Sequence, residues 1–123
     1  MKKVLKVSVG APMADGLARA RAAMEALQAG RTATPHYAVG FESLSQLLAV
    51  FTPKRLELIA LLREQGPMSV AQLARALQRD YKNVHGDVKA LTEWLAIERN
   101  DDGHVFVPWD EIDFRVPLTR LAA

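Results

Sequence analysis

The alternation of apolar and polar residues predicts two strands and one helix in the first third of the chain. Apolar residues alternate with polar ones over residues 3–9, which predicts a β-strand that ends before Gly10. Apolar residues recur at helical spacing over residues 12–29, ahead of Gly30, and predict a helix. Alternation over residues 34–41 predicts a second strand, which we expect to pair with the first. The inward positions of the first strand are Leu5, Val7 and Val9.

Three N-terminal signals predict three short helices in the middle of the chain. Ser43 and Ser69 each precede a glutamine by three residues, which is the spacing of a capping box. Thr52 supplies a hydroxyl N-cap ahead of Pro53, and the Gly-Pro pair at 66–67 ends that helix. The expected inward positions are Leu47, Leu48, Phe51, Leu56, Ile59, Leu62, Val70, Leu73 and Leu77.

The last third of the chain predicts one longer helix, a hairpin and a strand. The helix follows Asp80, an N-cap candidate, and its apolar positions fall on one side. An Asp-Gly turn between residues 97–100 and 104–107 predicts a β-hairpin. Alternation over residues 112–116 predicts a final strand. The apolar stripe of the helix consists of Val84, Val88, Leu91 and Leu95.

The order of these elements is typical of a winged helix-turn-helix, in which three helices with a tight turn between the last two are followed by a hairpin. We therefore expect an α+β, mainly helical fold. Residues 1–42 are expected to form a strand-helix-strand extension that mediates dimerisation, chiefly through residues 1–30. The winged helix-turn-helix is expected over residues 43–109, followed by a C-terminal strand and tail over residues 110–123.

The helix after Asp80 takes the position of the recognition helix. With the apolar stripe inward, its outer face carries Lys82, Gly86, Lys89 and Glu93, with Asn83 and His85 on the flanks. The lysines can neutralise phosphates or donate to guanine, and Asn83 can bond adenine. A solvated helix face without a ligand is the alternative interpretation. The candidate DNA-binding residues are Arg75, Arg79, Lys82, Asn83, His85, Gly86, Lys89, Arg99 and His104.

The net charge of +2 combines a basic body with an acidic end, because residues 100–123 hold five acidic and two basic side chains. A basic body suits a polyanionic partner. The acidic end contains the apolar row of Ile112, Phe114 and Val116, which we expect to bind a partner, with a basic toxin as the candidate, by adding a strand to its sheet. Packing within the same fold or across a dimer is the alternative.

Composition favours one domain in a reducing compartment. The 123 residues are 50% hydrophobic, enough to bury a core without disulfides, and there is no cysteine. The longest uncharged stretch, residues 43–53, is shorter than the roughly 18 apolar residues that cross a bilayer. We therefore expect a cytoplasmic protein that does not bind membranes.

The sequence lacks the parts of an enzyme site. His36, His85 and His104 are the only histidines, and their spacing fits no metal motif. The acidic loop at 101–103 lacks the alternating ligands of a calcium site, and no glycine-rich phosphate loop or nucleophile elbow is present. We expect no enzymatic activity, no metal and no cofactor.

Three segments carry a resemblance to a known family. They read TPKRLEL at 52–58, RDYKNVH at 79–85 with Asp87-Val88 close behind it, and VPWDEI at 107–112. Together they resemble MarR-type winged-helix proteins of bacteria and archaea, over residues 43–116. Members of that family are predicted DNA-binding regulators, many of them encoded beside a small toxin and taken to be its antitoxin.

The sequence departs from the family pattern at two positions. Gly86 lies at the centre of the outer helix face, where the family carries a longer polar side chain, and Leu95 stands where the helix usually ends in glycine. The resemblance implies a dimeric transcriptional regulator of double-stranded DNA that represses its own operon as an antitoxin. A winged-helix module that binds protein instead of DNA is the alternative.

Overall fold

The computed structural model describes residues 2–10 and 37–119, and the predicted helix over 12–29 lies outside them. The chain forms two compact units, one of residues 1–47 with 110–123 and one of residues 48–109. Residues 110–123, predicted as a separate tail, therefore belong to the same unit as the N-terminal strand. The described elements are β1 (Val4–Val9), β2 (Tyr37–Phe41), α1 (Leu44–Val50), α2 (Pro53–Gln65), α3 (Val70–Leu77), α4 (Tyr81–Glu93), β3 (Glu98–Arg99), β4 (Val105–Phe106) and β5 (Glu111–Arg115).

The first unit contains a three-stranded parallel sheet in the order β2-β1-β5. The predicted pairing of β1 with β2 is confirmed, and so is the inward row of Leu5, Val7 and Val9, which are at most 2% exposed. β5 is attached at its start, where Asp110 accepts a hydrogen bond from the Lys3 backbone at 2.8 Å. β1 therefore has a strand on each side.

The second unit begins with helices that the capping signals predicted correctly. The Arg55 amide donates to Thr52 Oγ1 at 3.2 Å, and Pro53 is the first helical residue of α2. Ser69 and Gln72 form the reciprocal capping box at the start of α3. Asp80 takes the N-cap position of α4, although its side chain makes no capping hydrogen bond.

The core of the second unit contains most of the expected apolar positions, with two corrections. Leu56 and Leu48 are exposed, by 37% and 56%, whereas Leu58 is fully buried. In α2 the buried face is formed by Leu58, Ile59 and Leu62, and Leu56 projects well to one side of it because successive residues are 100° apart. The core residues of this unit include Leu62, Leu73, Val84, Val88, Leu91, Ile97 and Val105.

The backbone turns to a left-handed residue just after both α3 and α4. At the end of α4 this turn shortens the predicted apolar stripe by one residue, Leu95. Gln78 and Leu95 both have a positive φ, 55° and 67°, just beyond the two helices. After α4, the Leu95 amide bonds to Thr92 O and the Ala96 amide to Leu91 O, the pair of bonds in a Schellman motif. Leu95 is 44% exposed because α4 has ended before it, so it does not extend the buried stripe.

The predicted hairpin follows α4. One of its strands also forms an isolated β-bridge that sequence patterns did not indicate. β3 and β4 pair antiparallel, as expected from the turn at 101–103. β4 pairs also with Met68, since Val105 and Met68 exchange two backbone hydrogen bonds of 2.9 and 3.1 Å. The segment between α2 and α3 is thereby fixed to the hairpin.

None of the helices in residues 2–10 and 37–119 combines the length and apolar character needed to cross a bilayer.

Candidate nucleic-acid interface

The two sides of α4 differ in burial as its stripe predicted. Val84, Val88 and Leu91 are at most 2% exposed on the inner side. The residues on the opposite side are exposed and make no ion pair with any described residue. This surface, called the outer face of α4, consists of Lys82, Asn83, His85, Gly86, Lys89 and Glu93.

An aromatic pair lies at the start of the outer face. Tyr81 and His85 are one helical turn apart, with ring centroids 5.9 Å apart and ring planes inclined by 32°. Tyr81 is 53% exposed, which makes it an accessible apolar surface beside Lys82. It was not among the predicted site residues, although its spacing of four from His85 was a signal in the sequence.

Gly86 leaves a gap at the centre of the outer face. A Cβ added at Gly86 would have no heavy atom within 4 Å outside its own helix. No packing requirement among the described residues therefore explains a glycine there. A ligand can approach the helix backbone closely at this point.

On the inner side, Asp87 joins two arginines in a partly buried cluster. Arg55 Nε donates to Asp87 Oδ1 at 3.0 Å, and Arg79 Nη2 donates to Asp87 Oδ2 at 2.7 Å. All three side chains, here called the Asp87 cluster, are about one fifth exposed or less. Charge-assisted bonds of this length are about twice as strong as neutral ones, so the cluster fixes α4 against α2 and the turn before α4.

The Asp87 cluster changes the role expected for Arg79. This residue was expected to contact the DNA backbone, but one of its nitrogens is bonded to Asp87, and Nη1 is buried with no hydrogen-bond partner in the described structure. Arg55 is occupied as well, because its Nη1 donates to the carbonyl oxygens of Ala49 and Val50 at 3.3 and 3.1 Å. It thereby satisfies carbonyl groups at the end of α1.

The hairpin places acidic groups at its tip. Arg99, an expected DNA contact, donates from Nη1 to the Gly103 carbonyl at 3.0 Å, across the turn. Asn100 Oδ1 accepts from the amides of Asp102 and His104, both at 3.0 Å, and this fixes the loop. Asp101 and Asp102 are exposed, so two carboxylates lie beside Arg99 and the half-buried His104. Phosphates would be repelled by this tip.

The remaining predicted site residues lie apart from one another. Arg75 is exposed in the last turn of α3. In the first unit, Ile112 and Val116 are half-buried and Phe114 is 38% exposed, all in or next to β5. The described residues contain no group of three or more His, Asp or Glu side chains placed to hold a metal ion.

The segment between the hairpin and β5 contains a further anchor that the sequence reasoning did not identify. Trp109 is 3% exposed, and its indole nitrogen donates to the Leu95 carbonyl at 2.8 Å. This bond joins the end of the hairpin to the end of α4. Trp109 and Asp110 both belong to the segment VPWDEI that carries part of the family resemblance. Asp110 accepts a hydrogen bond from the Lys3 amide, directly before β1.

Comparison with known proteins gives one match. The family model HVO_A0114 matches residues 50–114, which include α2, α3, α4, the hairpin and most of β5. No curated protein and no solved structure matches the chain.

Proposed function

The chain belongs to the HVO_A0114 family, and we propose that residues 48–109 form a winged helix-turn-helix that binds duplex DNA through the outer face of α4. The observation that carries this proposal is the contrast across α4. One side is buried and fixed by the Asp87 cluster, while the other presents two lysines, an asparagine, an open glycine and, in the last turn, one glutamate to solvent. A rigid helix with a free polar side is what insertion into the major groove requires.

The arrangement around α4 supports the same proposal. In a winged helix-turn-helix a hairpin follows the third helix. Here β3 and β4 take that position, and the bridge from β4 to Met68 ties the hairpin to the segment before α3. The turn between α3 and α4 contains only Gln78, Arg79 and Asp80.

The hydrogen bonds within the protein support dividing six of the predicted contacts into two groups. Lys82 and Lys89 contact phosphates or guanine edges, Asn83 reads adenine, and Gly86 allows close approach of the helix backbone. Arg79 and Arg99 act within the protein, Arg79 on Asp87 and Arg99 on the hairpin turn. DNA binding therefore depends on α4 more than on the hairpin.

A protein-binding module is the second candidate, and a specific observation favours it. Residues 48–109 hold eight acidic and eight basic side chains, and the hairpin tip carries Asp101 and Asp102. A neutral unit with an acidic tip gains little from long-range attraction to DNA. In this case the outer face of α4 would bind a protein.

Titration of the full chain against mixed duplex DNA at several salt concentrations separates the two candidates. DNA binding predicts saturable association whose logarithm falls linearly with the logarithm of salt concentration. No saturable binding at low salt would favour the protein-binding module. As an autorepressing regulator, the protein is expected to protect a site upstream of its own gene in a footprinting experiment.

A further inference from the structure

The apolar side of the parallel sheet becomes exposed toward β5. The register places Phe114 beside Val7 and Ile112 beside Leu5, so these residues share one side of the sheet. Val7 is fully buried, whereas Phe114 is 38% exposed. In the part of the chain that the structure describes, β5 has β1 on one side and no strand on the other. Among the described residues, the apolar row of the sheet therefore ends at an edge strand.

The sequence of this edge strand is complementary to itself. When two copies run antiparallel with Phe114 opposite Phe114, Ile112 faces Val116 of the other copy, and the apolar residues match. On the opposite side of the sheet, Asp113 faces Arg115 of the other copy, and this pair occurs twice. Cross-strand pairs of these two kinds each stabilise a sheet. Neither Asp113 nor Arg115 makes an ion pair with a described residue of its own chain.

Alternative registers lack this match. With Asp113 at the centre, Asp113 would face Asp113 of the other copy, which places like charges directly opposite each other. The chain also limits the length of the pairing, because Pro117 has no amide hydrogen and follows Val116 directly.

We propose that β5 pairs with β5 of a second copy about a two-fold axis at Phe114, which joins two three-stranded sheets into one. Such an interface is isologous, since each copy contributes the same residues. It goes beyond DNA binding and assigns dimerisation to residues 112–116 instead of residues 1–30. The edge strand would then bind its own copy and not a basic toxin.

A charge exchange in the full chain tests the pairing by sedimentation over a wide range of protein concentrations. The wild-type protein is expected to dimerise. Asp113→Arg and Arg115→Asp each set like charges against each other twice and should weaken self-association by about tenfold or more. The double variant restores opposite charges and should recover the dimer. Glu111→Gln, outside the matched pairs, is the control and should leave it unchanged.

A single cysteine provides a second readout that does not depend on charge. The chain has no cysteine, so Phe114→Cys introduces one thiol, which faces its own copy at the axis and should form a disulfide-linked dimer under mild oxidation. Ile112→Cys faces Val116 and should link poorly. The proposal is overturned by a monomeric wild-type protein, by folded single variants that dimerise unchanged, or by equal crosslinking at the two positions.

Discussion

The inner and outer sides of α4 are built for different tasks. On the inner side, Val88 and Leu91 are buried and Asp87 is held by two arginines. On the outer side, Lys82 and Lys89 are exposed and have no ion-pair partner among the described residues. Under the proposed function, the inner side of the helix provides stability and the outer side provides DNA recognition. Substitutions on the inner side should alter folding, and substitutions on the outer side should alter DNA affinity at constant stability.

The largest expected effect is that of a cavity on the inner side. Leu91 is fully buried, so Leu91→Ala should lower the free energy of unfolding by about 2 to 5 kcal/mol. Urea denaturation measures this change. An effect below about 1 kcal/mol would show that the helix is rotated relative to the assignment.

The Asp87 cluster offers the next largest effect. Asp87→Asn removes the charge that two arginines share and leaves both guanidinium groups partly buried without a counter-ion. We expect a loss of about 2 kcal/mol, less than for a fully buried pair because the groups retain some contact with water. Glu57→Gln, on an exposed position of α2, is the matched control and should be neutral. Equal stability of the two variants would contradict the role of the cluster.

Replacing the strained residue Leu95 after α4 with glycine should stabilise the protein. Leu95 has a φ of 67°, which costs a side chain about 1 to 2 kcal/mol, and the partial burial of Leu95, which is 44% exposed, offsets only part of this cost. Leu95→Gly should raise the melting temperature, with a net gain of up to about 1 kcal/mol after the added flexibility of the unfolded chain. Leu95→Ala keeps the strain and should show no gain.

On the outer side of α4, replacing Gly86 with alanine should have a smaller effect on stability and also tests DNA contact. Gly86→Ala meets no neighbouring atom outside its helix and removes a flexible residue from the helix interior. Stability should rise by up to about 1 kcal/mol. If DNA affinity falls although stability rises, close approach of the backbone is the role of Gly86. Unchanged affinity would show that DNA does not approach α4 at this residue.

Local signals in the sequence predicted the helices well. The capping residues Thr52 and Ser69 act within four residues of their own positions, so a short segment contains all the information needed. The same holds for the hairpin turn at 101–103. The inner stripe of α4 was correct up to Leu91 and wrong at Leu95, because apolar spacing does not reveal where the backbone leaves the helix.

Contacts between distant segments were harder to predict. Arg55 and Asp87 are separated by 32 positions in the chain, and no spacing rule indicates that they meet. Sequence reasoning assigned Arg79 to DNA and did not identify its bond to Asp87. The bridge from Met68 to Val105 and the parallel pairing of β5 with β1 are likewise long-range. The resemblance motifs did mark Arg55 and Asp87, but they did not say that the two residues bond to each other.

DNA binding through the outer face of α4 is tested most directly by comparing lysines on and off this face. Lys82→Ala and Lys89→Ala should each weaken binding to duplex DNA and reduce the slope of log affinity against log salt by about 1, as the loss of one phosphate contact predicts. Lys54→Ala removes an exposed lysine from α2 and should leave slope and affinity unchanged. If the Lys82 and Lys89 variants bind with the affinity and slope of the wild-type protein, the outer face of α4 does not contact DNA.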